Sequence, residues 1–172
     1  TKYLGFTSQS AYSLLSTDYF FSRQIIEGYN IADLAWGTSS AKTVTLSFQV
    51  YSSLTGTHSG CIINSAGNRC YPFSYTISSA NTWTTISVTI PGDTTGTWAT
   101  DNTGGIEVDF NLGSGSNFLG TGGAWGTSRL MGTTGSVSVV STSGATFYIT
   151  GVQLEKGSTA TSFDYRPYGT EL

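Results

Sequence analysis

Lys42–Ser52 reads KTVTLSFQVYS, and its two sets of side chains separate cleanly. Val44, Leu46, Phe48 and Val50 fall on one side of an extended chain; Thr43, Thr45, Ser47, Gln49 and Tyr51 fall on the other. A period of two with apolar residues in one set only is the pattern of a strand with one buried face. The stretch GIEVDFNL, residues 105–112, repeats it, with Ile106, Val108, Phe110 and Leu112 inward and Glu107, Asp109 and Asn111 outward. YPFSYTI aligns Tyr71, Phe73, Tyr75 and Ile77, and its Pro72 argues for an edge strand or a strand start. TISVTI groups Ile86, Val88 and Ile90.

Less regular strands are expected in DYFFSRQIIE, SVSVV and TFYITGVQL, the last with a parity slip at Gly151 that suggests a bulge. The segments between are rich in Gly, Asn, Asp and Ser, as turns require. No long stretch has a 3.6-residue period; only NIADLAW offers a helical turn or two. Eight to ten short strands at this spacing predict an all-β antiparallel jelly-roll sandwich with almost no helix. The 172 residues suit a single domain, 1–172.

Composition narrows the partners. Charged residues make up 10% of the chain against about 25% in an average soluble domain, while Ser and Thr supply roughly a third. Seven Lys and Arg and a net charge of −3 leave no basic stripe for phosphates, so nucleic acid is not an expected partner. No uncharged stretch stays apolar for about 18 residues, so no membrane insertion is expected. A start at Thr1 without Met suggests processing, or a piece of something longer.

Cys61 and Cys70 flank a Ser-Ala-Gly-Asn turn in GCIINSAGNRC. In a hairpin centred between Ser65 and Ala66 they would lie opposite each other, close enough to bridge. The alternatives are a disulfide, which places the protein outside a reducing cytosol, and two thiols packed as small apolar residues.

Catalytic motifs are missing. His58 is the only histidine, no G-x-S-x-G elbow accompanies it, and it reads as a solvated loop residue. Glu107 and Asp109, two apart on one strand face, would stand roughly 6.6 Å apart, a separation that an inverting glycosidase uses. Nothing supplies the cleft such a pair needs, so no enzyme is expected and two acids on an exposed face is the plainer reading. Calcium is the one cofactor suggested, through Asp93, Asp101 and Asn102 in GDTTGTWATDNTGG, although the D-x-[DN]-x-[DN]-G order is absent. The connection Gly113–Gly135 is either a flap with Phe118, Leu119 and Trp125 on its underside or a binding loop presenting Trp125 and Arg129.

A sugar site pairs an aromatic plate with groups that bind hydroxyls. Gln49, Tyr51, Glu107, Asp109 and Asn111 would form one patch if their strands were neighbours, with Trp125 and Arg129 from the long loop. Trp36 and Trp83, each just before a strand, are expected to be core lids.

IEGYNIADLAWGTSSAKTVTLSFQVYSSLTGT, NSAGNRCYPFSYTI, NTWTTISVTIPGDTTGTW and above all GATFYITGVQLEKGSTATSFDYRPYGTEL resemble the carbohydrate-binding-module-like domain near the C-terminus of many bacteriophage tail-fibre and related virion proteins. The resemblance spans roughly 24–172; residues 1–23 match less well. It implies a non-enzymatic virion appendage, outside cells, that reads a host surface glycan and assembles as a homo-oligomer, often a trimer. The alternative is a purely structural decoration or assembly module. By the same resemblance FYITGVQLE is the last jelly-roll strand, 156–172 packs on the sandwich edge or a neighbouring subunit, and the chain runs past Leu172. Phe163, Tyr165, Arg166 and Tyr168 are the expected interface residues. Two departures stand out: Gln49 lies where such domains often carry Trp, and the Cys pair is an addition.

Overall fold

A computed structural model describes residues 2–164. Ten strands are present: β1 Leu4–Thr7, β2 Tyr19–Glu27, β3 Val44–Ser52, β4 Gly56–Asn64, β5 Cys70–Ile77, β6 Thr84–Ile90, β7 Gly104–Ser114, β8 Leu119–Gly120, β9 Gly132–Thr133 and β10 Thr146–Lys156. Setting aside the short β8 and β9, they form two four-stranded antiparallel sheets, ordered β1-β10-β3-β6 and β2-β7-β4-β5. The pairing is nested: β4 with β5, β3 with β6, β2 with β7 and β1 with β10. This is a jelly roll, a long hairpin rolled until its two arms lie in two facing sheets.

The alternating strands meet in the middle. Val44, Leu46, Phe48 and Val50 from one sheet face Ile62, Phe73, Tyr75, Val108 and Phe110 from the other, all buried. Phe48 touches Tyr75 and Phe110 edge to face, with ring centroids 5.1 and 5.0 Å apart. Burial of such side chains is worth roughly 1.5–3 kcal/mol apiece, which makes this layer the main source of stability. The bulge expected at Gly151 lies between Thr150 and Gln153, where the β10–β3 register shifts. Pro72 is on β5, an edge strand, and NIADLAW contributes one short 3-10 turn, Ala32–Leu34, directly after another at Gly28–Asn30. SVSVV is not a strand: Val139 and Val140 both donate to the single carbonyl of Leu112, and no regular ladder is formed.

The outer face of the β2-β7-β4-β5 sheet is covered, which its alternating sequence did not suggest. Residues 115–135 fold back across it, and β7 is buried on both faces over almost its whole length. Gly132 makes this closeness possible, since a Cβ there would lie 2.3 Å from Ser59 Oγ. Between sheet and flap, Cys61, Ile63 and Cys70 form a second apolar cluster with Phe21 of β2 and with Met131, Phe118 and Leu130 of the flap itself. Cys61 and Cys70 are disulfide-bonded, with Cα atoms 6.4 Å apart. They are not directly opposite: Ile63 pairs with Cys70 and Cys61 with Pro72, so the turn is centred between Ala66 and Gly67 and the bridge runs diagonally.

His58 is likewise not in a solvated loop. It lies on β4 and points into the core, fully buried between Tyr75 and Phe147. Its Nε2–H donates to the Leu54 carbonyl at 3.2 Å, while Nδ1 and the neighbouring Tyr75 hydroxyl have no partner among the described residues. Burial holds the imidazole below its ordinary range. The unfolded chain takes up a proton near pH 6.5 but the folded one resists until lower pH, so this contribution to stability is intact above about pH 6.5 and is lost as pH falls below it. Urea titrations from pH 7.5 to 5 should therefore show a decline that His58→Phe flattens.

Candidate functional site

The outer face of the β1-β10-β3-β6 sheet carries the group of side chains that the core does not use. In the register, Tyr51 on β3 is opposite Tyr148 on β10, and Trp83 immediately precedes β6 on the other flank of β3. On β1 the position beside Tyr148 is Gly5, where a Cβ would come within 2.8 Å of the Tyr148 ring. The missing side chain lets Tyr148 lie close to the β1 backbone and lets Tyr3 stack on it, centroids 5.0 Å apart. Tyr148 stacks on Tyr51 at 5.3 Å, Tyr51 meets Trp83 at 5.6 Å, and Trp83 meets Tyr3 at 5.9 Å, closing a ring of four aromatics. Tyr3 and Trp83 are 55% and 40% exposed, so the cluster is a surface platform and not a second core.

Polar groups border it. Gln49 is one step along the sheet, flanked by Thr150 and Thr85. The exposed side chains of Gln49 and Thr85 make no hydrogen bond among the described residues, whereas Thr150 Oγ1 donates to the Lys2 carbonyl at 2.7 Å. An apolar plate beside uncommitted amide and hydroxyl groups can stack on the C–H face of a sugar ring and bind its hydroxyls.

The other expected site residues lie elsewhere, because β3 and β7 are in different sheets and cannot share a patch. Glu107 and Asp109 face away from the central core but lie under Arg23 and the flap instead of in solvent. Arg23 grips Asp109 with two bonds of 2.7 Å and reaches Glu107 at 3.1 Å; Arg129 holds Glu107 at 3.0 Å. Asn111 is buried, donating to Ser59 and Ser136 while accepting from the Gly113 amide and Ser114 hydroxyl. Trp125 donates Nε1–H to the Pro91 carbonyl at 2.7 Å and packs edge-on against Trp36 and Trp98. The flap thus lids the molecule with Trp125 instead of presenting it.

Trp83 is the reverse case, a tryptophan expected inside and found outside. Its position was legible in the sequence: Trp83, Thr85, Ser87 and Thr89 share one parity while Ile86, Val88 and Ile90 share the other. Tyr148 alternates with Phe147 and Ile149, and Tyr3 with Leu4, in the same way.

Asp93 and Asp101 close turns. Both Asp93 oxygens bind Arg69, at 2.6 and 2.8 Å, and Asp101 caps the Thr103 amide and hydroxyl. Burial alone would raise the Asp93 carboxyl, but Arg69 and Thr95 outweigh it and hold it below its ordinary range. Asn102 is exposed, and among the described residues no three His, Cys, Asp or Glu side chains gather as they would round a metal. Phe163 is 52% exposed and lies against Gly151; Tyr165, Arg166 and Tyr168 fall outside the described residues.

Removing Arg23 would leave Asp109 as an uncompensated buried charge. Arg23→Met should cost about 3–5 kcal/mol in denaturant unfolding, and the Arg23→Met/Asp109→Leu double variant should recover most of it. Compared with known proteins, the chain matches no family model, no curated protein and no solved structure.

Proposed function

We propose that the protein is a non-enzymatic appendage domain of a virion, reading a host surface glycan with the aromatic platform of Tyr3, Tyr51, Trp83 and Tyr148. One observation carries the reading: four rings, each touching two of the others, stand on the solvent face of a sheet whose other face already forms the core. Exposed aromatics at this density are costly unless a ligand covers them. Gln49 and Thr85 beside them supply hydroxyl-binding groups. The low charge, the disulfide and the resemblance to tail-fibre domains support a particle outside cells.

A second reading, assembly of copies, has its own support. Apolar side chains are exposed at the opening between the edge strands β1 and β2, with Leu4 53%, Phe20 38% and Val152 39% accessible. Behind them lie two clefts of about 370 and 410 Å³, lined in part by Phe6, Phe110, Leu112, Val139 and Ile149. Such a seam suits contact between subunits, and the homo-oligomer proposed here would use it together with Phe163.

Glycan-array binding, followed by titration of any hit, distinguishes the two. Trp83→Ala and Tyr51→Ala should each weaken binding by at least about tenfold, near 1.4 kcal/mol, with unfolding midpoints little changed. Binding that survives Trp83→Ala, or a wild type that binds no glycan while light scattering finds a stable oligomer, would favour the assembly reading.

A further inference from the structure

The outer edge of β5 is paired along only half its length. Backbone groups of an antiparallel strand point alternately to either side, and on β5 the positions facing away from β4 are Cys70, Pro72, Ser74 and Thr76. Cys70 exchanges two backbone bonds with Gly126, of 3.0 and 2.9 Å, and the Pro72 carbonyl accepts from the Gly123 amide at 2.9 Å. Residues 123–126 thus act as a short added strand. The flap then turns away, and Ser74 and Thr76, both exposed, have no backbone partner on that side among the described residues.

A cleft of about 550 Å³ opens at this place and straddles the edge. Tyr71, Phe73 and Val88 line it on the core side, and Thr57 and Thr134 on the outer side. An extended chain laid against β5 would alternate its side chains between those two walls while its backbone met Ser74 and Thr76. The lining contains no Asp, Glu, Lys or Arg, so a charged side chain entering it would lose hydration and gain no partner. Edge strands are commonly blunted with charges or prolines; β5 carries no charge, and its one proline is in the half already covered.

We propose that this cleft binds an extended, uncharged segment of another polypeptide as an added strand on β5. The site is separate from the aromatic platform and does not depend on the glycan reading. A saccharide would not need the paired amide and carbonyl groups at the two-residue repeat that Ser74 and Thr76 offer.

Amide hydrogen exchange by NMR tests this, with the acetylated and amidated hexapeptide Thr-Val-Ser-Val-Thr-Gly as probe. Free protein should exchange the Ser74 and Thr76 amides rapidly, and saturation with peptide should slow both by at least about tenfold. Ser74→Pro removes an outward N–H in the frame that already tolerates Pro72, so the fold should persist while peptide binding is lost. Thr134→Trp, which fills the cleft from its far wall, should abolish binding without touching β5, and Trp83→Ala should leave it unchanged. The proposal is overturned if both amides are already protected in the free protein or if no binding occurs at millimolar peptide. It is equally overturned if binding survives Thr134→Trp, or if maltohexaose protects the two amides and the peptide does not.

Discussion

Asp109 carries a carboxylate where water does not reach, and the fold is arranged so that Arg23 can answer it. The charge is tolerable because the guanidinium meets it with two short bonds and shares its remaining nitrogen with Glu107. That requirement fixes β2 beside β7 in one register. Arg129 on the flap then completes the set by binding the same Glu107 oxygen that Arg23 reaches. A strand with an acidic face can be buried on both sides only when its neighbours supply the cations, and here they come from β2 and from the flap.

This arrangement divides the two sheets. One turns its outer face inward by wearing the flap, with the disulfide beneath it and the flap's own Met131 packed on the disulfide. The other is covered only at its Thr45 end, where Gly157 and Ser158 lie over it, and its open end holds Tyr3, Tyr51, Trp83 and Tyr148. The binding role proposed for the platform and the structural role of the flap are therefore complementary. Glu107 is consumed in holding the cover through Arg129, Asp109 in pairing with Arg23 of β2, and Asn111 in bonds to Ser59, Ser136, Gly113 and Ser114, whereas the Gln49 side chain stays exposed.

Much of the fold could be read from alternation alone. In Val44–Val50 and Ile106–Leu112 every second residue is apolar, and those residues form the core. Alternation says which residues share a side but not what covers that side, and so Glu107 and Asp109 look in the sequence like a solvated face. What covers them is a Gly-rich segment with no periodicity of its own, whose path depends on contacts such as Gly132 over Ser59. His58 misled for a related reason: TGTHSGC looks like a turn by composition, yet the imidazole has the same parity as Ile62. Trp83 and Tyr148 were legible by parity, but no single strand reveals that they meet, since the ring of aromatics exists only once β1, β10, β3 and β6 are side by side.

The nested pairing also sets an order of events. β4 and β5 are joined by a tight turn, and each further pair encloses the one before, until β1 meets β10 across nearly the whole chain. The entropy lost in closing a loop grows with its length, so each ring of the nest is cheaper to close after the ring inside it has formed. The least costly assembly runs from the middle of the sequence outward, and Cys61–Cys70 sits on the innermost rung. A ribosome delivers β1 first, and that strand must wait for almost every other residue to be made before its partner exists.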